Sequence, residues 1–437
     1  MRTRTIQFAT LFVVAAALTQ AQLTQAQSLP AKEGDAAEFK QAREARAAWW
    51  RDARLGMFIH WGPVSLKGTE ISWSRANSNP ACPNRGPIPV GVYDNLYKEF
   101  NPTKFDAKGW VELAQTAGMK YMVLTAKHCD GFCLWPTKTI DYHIGNTPFQ
   151  RDVCGELAKA AHDAKMGIGW YYSPMDWRDP DCRTAKNAQY VGRMQNRLRE
   201  LLGNYGRIDV LWFDTDGNSA PWDQPNTYRL IRELQPKILI SNRLDMGSTA
   251  EYDRQAVGPN ADFATPEQRI GGFNDQTPWE TCMTLGTQWA WKPNDQIKSL
   301  KQCVDILVRC AGGDGNLLLN VGPMPSGEIE PRQAEVLKQM GQWLAKYGAS
   351  IYGTRGGPFK PDKWGAATHK GNTVFVHILD TKRDTIKLPA IKKRIVGSSV
   401  LTGGSVSVKQ TDQGIEVSVP KADRQELDTI VVLTLED

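Results

Sequence analysis

The chain has 437 residues, 41% of them hydrophobic, with 15 tryptophans and a formal charge of +6. That composition excludes a disordered chain, and the length exceeds what one ordinary hydrophobic core organises, so two domains are expected. The charge is mild and no Lys/Arg run forms a stripe, which argues against a nucleic-acid partner.

At the N-terminus Arg2 and Arg4 precede a short apolar run from Phe8 to Leu18. Thr-Gln-Ala then occurs twice, ending at Ala21 and Ala26. This is the pattern of a cleaved signal peptide over residues 1–26, and it implies a periplasmic or secreted protein of charge +4. A membrane anchor needs about 20 apolar residues, and glutamines interrupt this run well before that. No other segment reads as a span. The first cysteine is Cys82, so no lipidation cysteine follows the leader. An oxidising compartment permits disulfides, and Cys82 and Cys182 stand in loop-like surroundings near the expected surface. The other cysteines read as small apolar packing groups.

From about residue 48 to 352, apolar β-rich runs alternate with helical stretches. LGMFIHWG (55–62), KYMVLTAKH (120–128), MGIGWYYSP (166–174), IDVLWFDTD (208–216), ILISNR (238–243) and NLLLNVGP (316–323) are near-continuous apolar runs, as expected of strands buried on both faces. Helices are predicted over 106–118, 152–165 and 187–206. The alternation predicts a (β/α)8-like barrel over residues 27–355. Beyond it, short alternating runs such as GNTVFVHILD, GIEVSVP and TIVVLTLE predict an antiparallel β-sandwich over residues 356–437.

In such a barrel the carboxyl ends of the strands face the active-site mouth. His60 and Trp61 end the first run, and Lys127, His128 and Asp130 end the second. Tyr171, Tyr172, Asp176 and Trp177 end the third, Asp214 and Asp216 the fourth, Asn242 and Arg243 the fifth. The six histidines form no His-x-His after a strand and no Glu-x-x-His or His-x-x-x-His on a helix, so no metal is expected. The glycine-rich stretch 311–322 leads into a strand rather than a helix, which argues against a phosphate loop. Carboxylates beside aromatics and hydroxyl-reading side chains point to a sugar pocket, where Asp214 stands either as a catalytic carboxylate or as the partner of Arg243 or Lys127.

RLGMFIHWGP, EFNPTKFDAKGWVELAQTAGMKYMVLTAKHCDGFCLW, RDVCGELAKAAHDAKMGIGWYYSPMDW, IDVLWFD, PWETCMT and GGDGNLLLNVGPMPSGEI, in order over about residues 45–355, resemble the α-L-fucosidases of glycoside hydrolase family 29. The resemblance implies a barrel followed by a β-sandwich, and a retaining exo-glycosidase that releases terminal α-L-fucose from fucosylated glycans without a cofactor. It places the nucleophile at Asp214, with Asp216 as a rival because the glycine that usually follows is displaced to Gly217. For the acid/base it offers Glu267, the preferred residue, and Glu280. Whichever acts must be protonated at the start of the cycle, and the two carboxyls should stand about 5–5.5 Å apart. His60, His128, Tyr171, Arg243 and Trp289 match sugar-contacting positions, and Trp73 a tryptophan of the sugar subsite. Ser72 stands where relatives often carry glutamate, and Cys129 where many carry a second histidine. Phe132 and Trp135 are candidates for a patch receiving the fucose methyl. The residues also admit a same-fold glycosidase acting on a galactoside, a binding protein without turnover, or a metal-dependent hydrolase.

Overall fold

Leu55–Ile59 carries five apolar residues in a row and forms β1, buried on both faces. The other predicted runs form β2 (Tyr121–Lys127), β3 (Gly167–Tyr172), β4 (Val210–Phe213) and β5 (Leu239–Ile240), and, later in the chain, β7 (Asn316–Val321). Between the last two lies β6 (Glu280–Thr284), which was not expected because ETCMT has no apolar run. The computed structural model describes residues 35–76, 86–215, 222–245, 257–380 and 382–437. The leader, Cys82 and Asp216 lie outside these.

The seven strands form one parallel sheet in the order β5-β4-β3-β2-β1-β7-β6. Segment 262–264 spans the remaining gap. Asp262 N donates to Ile240 O at 2.7 Å and Asn242 N to Phe263 O at 3.0 Å. On the other side Ala264 N donates to Pro278 O and Glu280 N to Ala264 O, both at 2.9 Å. This segment is the eighth stave, too short to announce itself in the sequence. The buried Asp262 carboxylate holds it, accepting from Ile240 N at 2.8 Å and pairing with Arg46 at 2.7 Å and Arg232 at 2.6 Å.

Side chains of a strand alternate between its faces. Phe58, Tyr121, Val123, Tyr171, Val210, Trp212, Leu239, Phe263, Cys282 and Leu318, from all eight staves, pack together as the barrel interior. Trp50, on the helix Asp35–Ala53, joins them at the N-terminal ends of the strands, where its carbonyl accepts from Asn316 Nδ2 at 2.7 Å. Helices Ala107–Thr116 and Val153–Asp163 start where their caps dictate: Asp106 accepts from Lys108 N, and Asp152 from Gly155 N. Among the described residues no helix is long and apolar enough to cross a membrane.

From Arg355 the pairing becomes antiparallel. One sheet runs β12 (Ile395–Val400), β15 (Thr429–Leu435), β10 (Thr373–Ile378), β9 (Gly365–Lys370), β8 (Arg355–Gly356). A second runs β11 (Thr385–Leu388), β14 (Gly414–Ser418), β13 (Ser407–Thr411). Alternate residues of both, among them Val374, Val376, Ile386, Leu388, Ile415, Val417, Val431 and Leu433, share one core. The seven described cysteines are all buried, Cys182 included. Its expected surface position is overturned because its sulfur packs under the loop after β3, accepting from Asp176 N at 3.4 Å.

Candidate active site

Asp214 follows β4 directly, so its side chain leaves the barrel at the carboxyl end. Its two oxygens have different donors. Oδ1 pairs with Arg243 Nη1 at 2.5 Å, and Oδ2 accepts from the Tyr171 hydroxyl at 2.8 Å. Arg243 lies in the short helical turn after β5, and its Nη2 reaches Glu267 Oε2 at 2.8 Å while its Nε donates to Thr265 Oγ1 at 2.8 Å. Its guanidinium lies over the Trp212 ring at 4.4 Å. One fixed guanidinium therefore holds both carboxylates. Burial alone would lower the Arg243 pKa, but Asp214 and Glu267 keep it above the ordinary value. The Arg243 side chain is only 2% exposed, whereas those of Asp214 and Glu267 are 23% and 32% exposed. The carboxylates look into the open mouth; the arginine is their anchor.

A wall of rings faces them. His60 follows β1 and His128 follows β2. His128 stacks parallel on Tyr171 at 5.3 Å between centroids, and His60 packs against Trp289 at 4.7 Å. Burial pushes the pKa of His60 well below the ordinary imidazole value. It also pushes that of His128 down to about 3, with the Lys127 charge adding to the shift. Both rings are therefore neutral, each with one donor and one acceptor nitrogen. Ser72 braces the second ring: its Oγ lies 2.5 Å from His128 Nδ1 and accepts from Asp130 N at 2.9 Å. It does so with φ at 56°, an uncommon conformation for serine, held by the bond from its own N–H to the Tyr93 hydroxyl at 2.8 Å. Cys129 is buried, its thiol raised by burial, and it lies 3.2 Å from Ser173 Oγ, which donates to Asp214 O at 3.1 Å. Trp73 is 43% exposed and stands edge-on to Trp177 at 5.0 Å.

Glu280 is not part of this group. It is the first residue of β6, paired with Asn316 at the N-terminal end of the barrel. Its carboxyl accepts from the Tyr121 hydroxyl and from Trp212 Nε1 at 3.3 Å. Burial raises its pKa to about 7, the protonation a general acid needs, but at the wrong end of the barrel; geometry takes precedence over pKa in such an assignment. A raised folded pKa means that Glu280 contributes stability below the unfolded value of 4.5 and loses it as pH rises through about 7. The ionised form is penalised by on the order of 3 kcal/mol. Glu280→Gln should therefore melt higher than wild type at pH 8.5 and level with it at pH 4. Thermal melts across that range check this, and equal melting temperatures at both ends would refute it.

Other residues of the 124–136 stretch serve structure. Asp130 accepts from the Tyr93 hydroxyl at 2.7 Å and from Phe132 N at 3.2 Å. Lys127 pairs with Asp176 at 3.6 Å rather than with Asp214. Trp135 donates to Glu200 Oε2 on the helix Asn187–Gly203 at 2.8 Å, and Phe132 packs on Tyr142, so both belong to the outer core and not to a methyl patch. The structure adds residues the sequence did not single out. Asn320, near the end of β7, contacts His60, and Glu70 ties the Trp289 loop to the Trp73 loop through backbone N–H groups. The strand-end rule points to Asn320; nothing in the local sequence marks Glu70.

The profile of the family described as Alpha-L-fucosidase matches residues 19–349. Alpha-L-fucosidase 1 of Arabidopsis thaliana is 30% identical over 317 residues, 67% of this chain and 58% of that protein. The chain thus spans under two thirds of this plant relative. Human plasma alpha-L-fucosidase is 28% identical over 84% of this chain and 82% of its own. Among solved structures, alpha-L-fucosidase isoenzyme 1 from Paenibacillus thiaminolyticus superposes with a TM-score of 0.79 at 36% identity, covering 91% of this chain and all of the other. A GH29 alpha-L-fucosidase from Bacteroides thetaiotaomicron, trapped as a covalent intermediate with 2-fluoro-fucosyl fluoride in a glutamate-to-glutamine mutant, superposes at 0.79 with 27% identity. It covers 90% of this chain and 96% of the other. With the match extending over most of the barrel and its mouth, the chain belongs to the α-L-fucosidase family, glycoside hydrolase family 29.

Proposed function

We propose that the protein hydrolyses terminal α-L-fucosides of glycans with retention of configuration, through a covalent glycosyl-aspartate. One observation carries the reading: Asp214 and Glu267, from different segments, meet on the single guanidinium of Arg243, their side chains 23% and 32% exposed. In the first step Asp214 attacks the anomeric carbon while Glu267 gives its proton to the departing glycosidic oxygen. In the second, Glu267 as carboxylate takes a proton from water, whose oxygen displaces Asp214. Arg243 and the Tyr171 hydroxyl hold the nucleophile in one orientation in both steps. His60 and His128, neutral and immobilised, read sugar hydroxyls; Trp289 closes the inner side of the pocket and Trp73 its rim. The proposal includes action outside the cytoplasm, on the pattern of residues 1–26.

Turnover of 4-nitrophenyl α-L-fucoside, run beside the α-galactoside, tests it. Release from the fucoside roughly 100-fold faster is expected, the order by which an apolar subsite rejects an added hydroxyl. Preference for the galactoside would replace the substrate, and glycan binding without turnover would replace catalysis with binding.

A further inference from the structure

His60 owes its chemistry to a residue on another strand. Its Nδ1 lies 2.6 Å from Asn320 Oδ1, and Asn320 Nδ2 donates to the Trp289 carbonyl at 2.7 Å. A carbonyl can only accept, so the amide nitrogen must face Trp289 and the amide oxygen must face His60. That oxygen can only accept in turn, so the proton sits on Nδ1. The Trp289 peptide is itself fixed. Glu70 Oε2 accepts from Trp289 N at 2.8 Å, and Oε1 accepts from Ala290 N at 3.1 Å and Ile71 N at 2.9 Å. A chain of contacts thus runs from the Glu70 carboxylate through the Trp289 peptide and the Asn320 amide to the imidazole.

We infer that Asn320 is a positioning residue that sets the tautomer of His60, so that Nε2 meets the substrate as an acceptor and selects a sugar hydroxyl that donates to it. The inference rests on the fucoside reading only for the identity of the sugar. The tautomer follows from the contacts alone. A merely structural asparagine would hold the strand end without deciding which nitrogen carries the proton.

The groups that face His60 are His128 and Tyr171, from β2 and β3, together with the Arg243 cation and the Glu267 carboxylate. His128 is neutral and the tyrosine hydroxyl is raised well above its ordinary value, so neither changes charge near neutral pH. His60 is therefore silent in the wild-type pH profile. Asn320→Asp places a carboxylate against Nδ1 and favours the imidazolium, which has N–H at both nitrogens and no acceptor. Its kcat/KM should fall roughly 10- to 100-fold at low pH and return towards wild type above the new His60 pKa. Asn320→Leu leaves the tautomer unset, and the mixture of forms should lower kcat/KM only a few-fold, by the same factor at every pH. Both variants remove the donor to the Trp289 carbonyl, so the difference between them reports on His60.

The experiment pairs fucoside pH profiles with nitrogen-15 NMR of histidine-labelled protein, the His60 signal assigned by His60→Asn. The expected result is the Nδ1–H tautomer in wild type, a mixture in Asn320→Leu, and a new acid limb in Asn320→Asp. An Nε2–H tautomer in wild type overturns the inference even if the variants fail to fold. So do two variants whose profiles fall in parallel, or not at all. If wild type shows the expected tautomer but leaves the fucoside intact, the substrate reading fails and the tautomer assignment stands.

Discussion

Asp214→Ala should lower kcat on 4-nitrophenyl α-L-fucoside by ~10⁴-fold, and azide should restore turnover while yielding β-fucosyl azide. The size follows from losing the group that forms the covalent bond while binding and proton transfer remain. The product follows from geometry. Removing the carboxylate opens a space on the face of the sugar opposite the leaving oxygen, between Arg243 Nη1 and the Tyr171 hydroxyl, which are left with an unmet anion site. Azide fills it and attacks once, inverting the centre. An unaltered rate would remove Asp214 from the mechanism. A pure α-azide product would show that a second nucleophile is acting, and Asp216 would be the first to examine.

Glu267→Ala should be deficient in a way that depends on the leaving group. With nitrophenol, which departs without a proton, the first step is largely preserved. With a fucosylated oligosaccharide, whose leaving oxygen must be protonated, kcat/KM should fall about 10²–10⁴-fold, the usual contribution of a positioned acid. Azide should then give α-fucosyl azide, because the glycosyl-aspartate forms and is opened by the added anion. Glu280→Ala offers the contrast. Its carboxyl sits at the far end of the barrel under Tyr121 and Trp212, so the variant should lose stability with no dependence on leaving group and no azide product. If Glu280→Ala showed the leaving-group dependence instead, the roles of the two glutamates would have to be exchanged.

Arg243 connects these results. Its 2% exposed guanidinium bonds both carboxylates and stacks on Trp212, so either substitution leaves it with a missing partner. Double variants at Asp214 and Glu267 are therefore expected to be non-additive, as for groups that share one network.

The sequence by itself determined the parts that depend on neighbours in the chain. The apolar runs at 55–59, 121–127 and 167–172 could only be strands buried on both faces, and Asp106 and Asp152 mark helix starts because a cap acts within three residues. The order of blocks placed Asp214 at a strand end and brought the family into view. Tertiary structure decided the rest, because the deciding contacts join distant residues. The polar run ETCMT becomes a strand only because β7 and segment 264–268 offer it hydrogen bonds on both sides. Glu267 and Glu280 look alike in the chain, and only closure of the barrel sends one to Arg243 in the mouth and the other to Tyr121 at the base. His60 and Asn320 are 260 residues apart, and the proton on the imidazole is set by that contact, since a tautomer depends on which atom faces the ring.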